Sequence, residues 1–202
     1  MTDSLRQVST KETEKILEFA QLALDFEGDF VELGCYRGDT SLLLERLLES
    51  AEKTKKIPQN SKNLWLYDSF AGLPEKTKED SSVAGDEFIA SELFVSKREV
   101  IERFKKANLK LPIIKKSFFE NLNPETDLPE KISFAFLDGD LYSSIKTSLN
   151  LVVPKLSERG IILVHDYNNP KLPGPARAVD EFLKTHPTFK LRLFETLAFL
   201  SR

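Results

Sequence analysis

Short apolar runs, each stopped by a polar residue or glycine and separated from the next by a helix-patterned stretch, constrain this chain more than any other feature. The runs are Phe30–Leu33, Leu64–Tyr67, Leu111–Ile114, Ile132–Leu137 and Ile161–Val164. A strand wet on one face alternates apolar with polar. Runs that are apolar throughout are buried on both faces, which is the condition of a parallel sheet covered by helices. Phe189–Leu193 and Leu197–Leu200 read as a closing antiparallel pair. The expected fold is therefore α/β: a doubly wound, mostly parallel seven-stranded sheet with helices on both faces. It forms a single domain over residues 1–202, with 1–27 as an N-terminal helical segment.

The helices between the runs carry their own signals. Ser9 with Glu12 spells a capping box before Ile16, Phe19, Ala20 and Ala23, and predicts a helix to about Phe26. Asp39 is placed to cap a helix bearing Leu42, Leu43, Leu44, Leu47 and Leu48. Ser96 with Glu99 opens another, with Val100, Ile101 and Phe104 on one face. Ser143–Leu156 is helical in pattern, with Gly160 as its C-cap, and Ala176–Lys184 forms the last helix. The stretch Gly72–Asp86, rich in charge, Gly and Pro, reads as a mobile loop.

Composition narrows the function classes. The 202 residues carry 29 Lys and Arg against 32 Asp and Glu, a formal net charge of −3. No basic face for nucleic acid is indicated. The single cysteine, Cys35, excludes an internal disulfide and a multi-cysteine zinc site. Met1–Thr13 is polar, with neither an apolar signal core nor a lipidation motif, so the expectation is a cytoplasmic protein without a membrane partner.

Ligands of open α/β sheets bind beyond the carboxyl ends of the strands. Here those ends are Gly34, Asp68, Asp138, Asp140, His165 and Asp166. In Glu32-Leu33-Gly34-Cys35-Tyr36-Arg37-Gly38-Asp39-Thr40, the two glycines allow a sharp turn into a helix whose free N–H groups suit a small anion. Tyr36 and Arg37 stand where a dinucleotide-binding loop needs small residues. Asp68 is placed to accept hydrogen bonds from a ribose diol. Asp138, Asp140, His165 and Asp166 crowd negative charge onto two neighbouring strand ends. Such crowding calls for a compensating cation, and carboxylate oxygens suit a hard divalent ion. Asp140 is the candidate general base.

These segments, together with Tyr67-Asp68-Ser69-Phe70-Ala71-Gly72-Leu73-Pro74, Leu137-Asp138-Gly139-Asp140-Leu141-Tyr142, His165-Asp166-Tyr167-Asn168 and Pro175–Phe182, resemble the macrocin O-methyltransferase family. These are class I, Rossmann-like S-adenosylmethionine-dependent enzymes that methylate sugar hydroxyls of natural products, generally with Mg²⁺. The resemblance runs from Gly28 to Phe182. It implies that Glu32, Gly34, Gly38 and Thr40 hold the methionine part of S-adenosyl-L-methionine, that Asp68 and Ser69 hold the ribose, and that Ser117 and Phe118 sit by the adenine. It assigns Asp138, His165 and Asp166 to a divalent metal, Mg²⁺ or Mn²⁺. Asp140 becomes the base acting on a sugar or glycoside-like small-molecule acceptor, and a homodimer is suggested. The family usually has Asp-Asp-Tyr where this chain has His165-Asp166-Tyr167. The imidazole removes one negative charge and moves preference from Mg²⁺ toward Mn²⁺, Fe²⁺ or Zn²⁺.

Two other readings compete. Tyr142 and Lys146 have the Tyr-x-x-x-Lys spacing of some nicotinamide-dependent oxidoreductases. A non-catalytic cofactor-binding protein of the same fold would also account for His165. Two segments, Ala71–Asp86 and Asn168–Pro175, flank the site as candidate lids.

Overall fold

A computed structural model describes residues 7–82 and 87–202. The strands are β1 (Asp29–Leu33), β2 (Leu64–Asp68), β3 (Ile113–Lys116), β4 (Ile132–Leu137), β5 (Leu156–Val164), β6 (Lys190–Phe194) and β7 (Leu197–Ser201). They form one seven-stranded sheet in the order β3-β2-β1-β4-β5-β7-β6. The first five are parallel and β7 runs antiparallel to both its neighbours, as the apolar runs predict.

Alternate residues along each strand feed two cores. Phe30, Leu64, Leu66, Phe134, Phe136 and Leu163 pack against α1 (Thr10–Ala23), α2 (Asp39–Lys53) and α3 (Lys97–Lys106). Val31, Leu33, Tyr67, Ala135, Leu137 and Val164 pack against α4 (Tyr142–Val152) and α5 (Pro173–Thr185). All six residues of β4 are buried, because β4 lies mid-sheet with helices on both sides.

Several boundaries differ from expectation for identifiable reasons. β3 begins at Ile113, not Leu111, since Pro112 has no N–H to give the ladder. β5 begins at Leu156: opposite Ile132 and Phe134 it places Leu156 and Ile161, so Ser157–Gly160 bulge out of the ladder. Gly160 is thus a strand residue, and the helix before it ends at Val152, passing into a 3-10 turn at Val153–Lys155 around Pro154. Arg159 in the bulge stacks 4.5 Å from the Phe26 ring centroid. α1 stops at Ala23 rather than Phe26. Gly38, in the left-handed region, is the N-cap of α2; Asp39 makes no cap and instead pairs with Arg103 of α3. No helix among the described residues is long and apolar enough to cross a membrane.

One core feature predicts a pH dependence. Glu45 of α2 is 3% exposed, and burial, opposed by Lys110 and reinforced by Glu49 and Glu52, pushes its carboxyl from 4.5 to about 7. The folded chain holds this proton more tightly than the unfolded one, so the contribution to stability is full below pH 4.5 and is lost as pH rises through about 7. Glu45→Gln is expected to flatten that loss and raise the Tm at pH 8 by roughly 5 °C, read by thermal denaturation across pH 4–8.

Candidate active site

Four strands stop on one line. Leu33 is paired with Tyr67 and with Leu137, and Leu137 with Val164. The next residues carry the row past the strand ends: the amides of Gly34, Asp138 and His165 donate to the carbonyls of Tyr67, Leu33 and Leu137 at 2.8, 2.8 and 3.0 Å. Gly34, Asp68, Asp138 and His165 thereby stand side by side at the rim. The reversal of strand order lies between β1 and β4, where open α/β sheets offer their crevice.

Gly34 is required where it stands. Its φ is +92°, and a Cβ there would lie 2.0 Å from the carbonyl oxygen of Asp138. The loop after it is held from both sides. Asp68 Oδ2 accepts from the amides of Cys35 and Tyr36 at 3.0 and 3.1 Å, and Oδ1 from Phe70 at 2.8 Å. From α3, Arg103 donates to the carbonyl of Arg37 at 2.6 Å and to the carboxylate of Asp39. Asp68 therefore has a loop-holding role that the sequence alone does not reveal. Burial raises its carboxyl above the ordinary value, against the lowering effect of these amides.

Two cavities adjoin here and share Gln7, Tyr36 and Asp138. The first is lined by Gly34, Asp68, Ser69, Phe118, Asp138 and Asp140, among others. The second is lined by Glu32, Thr40, Cys35 and Arg37, among others. Gly38 and Ser117 line neither; the Ser117 hydroxyl donates to the carbonyl of Phe118 at 2.9 Å. Glu32 is 1% exposed, receives the hydroxyl of Ser41, and is pushed well above the usual carboxylate range by burial, helped by the charges of Asp138, Asp68 and Asp39. Among the described residues no cationic side chain pairs with this buried acid.

The acids of β4 and β5 converge as expected. His165 Nδ1 lies 2.9 Å from Asp138 Oδ1 and 3.0 Å from Asp166 Oδ2. One ligand atom from each of these residues lies within 4.8 Å of the others, so the group could hold a metal ion. Ligands about 2.1 Å from an octahedral ion are about 3.0 Å apart along an edge, which the two separations from Nδ1 match, and two carboxylates with an imidazole are donors that suit a divalent cation. Asp140, at φ +58°, lines the first cavity. Burial, then the charges of Asp138 and Asp166, push its carboxyl well up. His165 is 4% exposed; burial opposes its protonation, but Asp138, Asp166 and Glu12 together raise it well above the ordinary imidazole value. Glu12 is the residue that the sequence reading uses only as a helix cap.

The described parts of the two candidate lid segments carry hydrogen bonds to α4, to α5 and to each other; residues 83–86 of the first lie outside the described residues. Asp80 is 3% exposed, and its Oδ1 accepts the amide of Tyr142 at the start of α4 at 2.7 Å. Arg177 of α5 donates to the carbonyls of Lys78 and Glu79, and Ser82 to that of Lys171 at 2.7 Å. Tyr142 and Lys146 bond Glu181 on the exposed faces of α4 and α5, and neither lines the two cavities.

The sequence profile of the macrocin-O-methyltransferase (TylF) family matches residues 11–190. The chain belongs to this family. It is 30% identical over 162 residues to a demethyldecarbamoylnovobiocin O-methyltransferase of Streptomyces niveus, covering 77% of this chain and 58% of that protein. It is 29% identical over 152 residues to an 8-demethyl-8-(2,3-dimethoxy-alpha-L-rhamnosyl)-tetracenomycin-C 4'-O-methyltransferase of Streptomyces olivaceus, covering 72% and 55%. The chain thus spans a little over half the length of these relatives. The structure of the O-methyltransferase NovP superposes with a TM-score of 0.78 at 24% identity, over 98% of this chain and 81% of that one.

The geometry at the first turn predicts unequal costs for two glycine substitutions. Gly34→Ala must displace a backbone carbonyl 2.0 Å away, whereas the nearest neighbour of a Cβ at Gly38 is Val100 Cγ1 at 3.4 Å. Gly38→Ala is expected to cost the strain of its positive φ, about 1–3 kcal/mol, and Gly34→Ala clearly more, in urea unfolding.

Proposed function

We propose that this protein is an S-adenosylmethionine-dependent O-methyltransferase acting on a hydroxyl of a sugar or glycoside-like small molecule, with a divalent cation, Mg²⁺ or Mn²⁺, beside the acceptor. The observation that carries this reading is one rim. A glycine loop and two adjoining cavities open onto it beside Asp138, Asp140, His165 and Asp166. Family membership and the natural-product methyltransferases among its relatives support the same chemistry.

In this reading the second cavity takes the methionine end of the cofactor. Glu32 meets the α-ammonium group, which is the counter-charge a buried acid lacks, and Gly34, Gly38 and Thr40 shape the loop and helix start around the carboxylate. Asp68 and Ser69 meet the ribose. Phe118 forms the wall for the adenine, with Ser117 fixing its backbone. When bound, S-adenosylmethionine supplies an electrophilic sulfonium methyl group. A divalent ion held by Asp138, His165 and Asp166 supplies the positive charge that lowers the pKa of an alcohol beside it. The chain itself aligns the acceptor, excludes water and moves a proton. Asp140, desolvated and flanked by Asp138 and Asp166, is the base that takes the acceptor's hydroxyl proton; burial and those two charges strengthen its hold on a proton.

Product cofactor at 100 times its Kd is expected to add about 2.7 kcal/mol of stability, a rise in Tm of roughly 5–10 °C. Asp140→Asn should keep that rise while turnover on a glycoside panel falls by about 10²–10⁴-fold. Failure of S-adenosylhomocysteine at millimolar concentration to shift the Tm would overturn the assignment. Dialysis against a chelator should remove turnover, and Mn²⁺ should restore it at lower concentration than Mg²⁺, since imidazole favours the later ion.

A further inference from the structure

We propose that Glu12, in the first turn of α1, is a positioning residue for the cation site: it faces Nε2 of His165 and so holds the ring with Nδ1 turned toward Asp138 and Asp166. This rests on the reading of Asp138, His165 and Asp166 as the cation ligands.

Glu12 is 5% exposed although it lies in the first turn of a helix. Its Oε2 accepts from the amide and hydroxyl of Ser9 at 3.0 and 2.6 Å and stands 3.8 Å from His165 Nε2. Its Oε1 accepts from the amide of Thr196 at 3.2 Å and from its hydroxyl. Thr196 lies in the turn between β6 and β7, and its carbonyl accepts from the amide of Tyr167 at 2.8 Å. One carboxylate thus stands within ion-pair distance of the imidazole and is tied through Thr196 to the chain just after Asp166.

The ring has two orientations related by a half-turn about χ2. In the one observed, nitrogen atoms face carboxylates on both sides: Nδ1 faces Asp138 and Asp166, and Nε2 faces Glu12. The half-turn would put Cδ2 toward the cation site and Cε1 toward Glu12. A carboxylate opposite Nε2 disfavours that flip, and an aspartate at position 165 would need no such partner. Groups behind a ligating histidine commonly fix its orientation in this way.

The test is Mn²⁺ binding to the full chain, read by electron paramagnetic resonance, with S-adenosylhomocysteine affinity as the check on folding. Glu12→Gln is expected to weaken Mn²⁺ binding about 10–100-fold. Glu12→Asp, which keeps the charge but withdraws it, should weaken it less, and this variant carries the test if Glu12→Gln does not fold. Thr196→Val should lower the Tm and leave Mn²⁺ affinity within about twofold of the unsubstituted chain. In a His165→Asp background, Glu12→Gln should no longer weaken the ion, because the ring it orients is gone. Equal Mn²⁺ affinity of Glu12→Gln and the unsubstituted chain overturns the inference alone. So does an equal loss in the two backgrounds, or a loss of the same size in Thr196→Val, since either makes Glu12 a structural strut. Absence of Mn²⁺ binding by the unsubstituted chain, matched by Asp138→Asn, overturns the cation reading and this inference with it.

Discussion

A transverse row of backbone hydrogen bonds at the carboxyl end of the sheet is the constraint on which the rest of the structure depends. Because Leu33, Tyr67, Leu137 and Val164 are in register, the residues that follow them leave the sheet at one level. Register is set by which face each side chain must enter, and a slip of one residue would turn both cores inside out. The two-faced burial of β1, β2, β4 and β5 therefore also positions Gly34, Asp68, Asp138 and His165. The packing that stabilises the fold and the geometry that assembles the site have one cause.

That convergence carries an electrostatic cost. Asp138, Asp166 and Glu12 lie around a single imidazole, and desolvation penalises the charged forms of Glu12, Asp140 and His165. Glu12 is held in its charged form despite burial by hydrogen bonds from Ser9 and Thr196 and by His165, which keep it well below the usual carboxylate range. Among the described residues Asp140 receives no side-chain hydrogen bond, and burial with the charges of Asp138 and Asp166 outweighs His165 and pushes it the other way. The two acids thus have opposite characters, one held as an anion near the histidine and the other a carboxyl with a raised hold on its proton at the cavity wall. Carboxylates whose surroundings drive their proton affinities apart are what acid–base chemistry requires.

Most of the fold was legible because the apolar runs report two-sided burial directly: the strand count, the parallel core and the closing antiparallel pair all follow from them. What was illegible has local physical reasons. Gly160 looks like a helix C-cap, but the polar residues Ser157, Glu158 and Arg159 before it suit a bulge, which also leaves the ladder. Asp39 looks like a cap but serves Arg103, a partner 64 residues away. In the site, the acids at strand ends were visible because strand ends are visible. Glu12 was hidden behind a correct local reading: it does close a capping box on Ser9, and only tertiary structure shows His165 and Thr196 on its other sides. The only available signal was a helix-cap acid followed at once by a strongly apolar face, which places the first turn near the core. Asp80 was missed similarly, as one charge in a charged loop, although its burial against Tyr142 and Gly174 ties its own stretch of that loop to the starts of α4 and α5.

Asp68 shows how a residue proposed to meet a ligand can also be scaffold. A carboxylate offers about four lone-pair positions. Three are taken by the amides of Cys35, Tyr36 and Phe70. The glycine loop therefore has its shape before any ligand arrives, with Tyr36 held at φ +45° and Arg103 bracing the far side. A loop ordered in advance spends little conformational entropy on binding. In the proposed reading this matters more than any single contact to the ribose. The sulfonium methyl needs little activation but close alignment, and alignment is what a loop pinned by a buried carboxylate, a guanidinium and a row of strand-end amides provides.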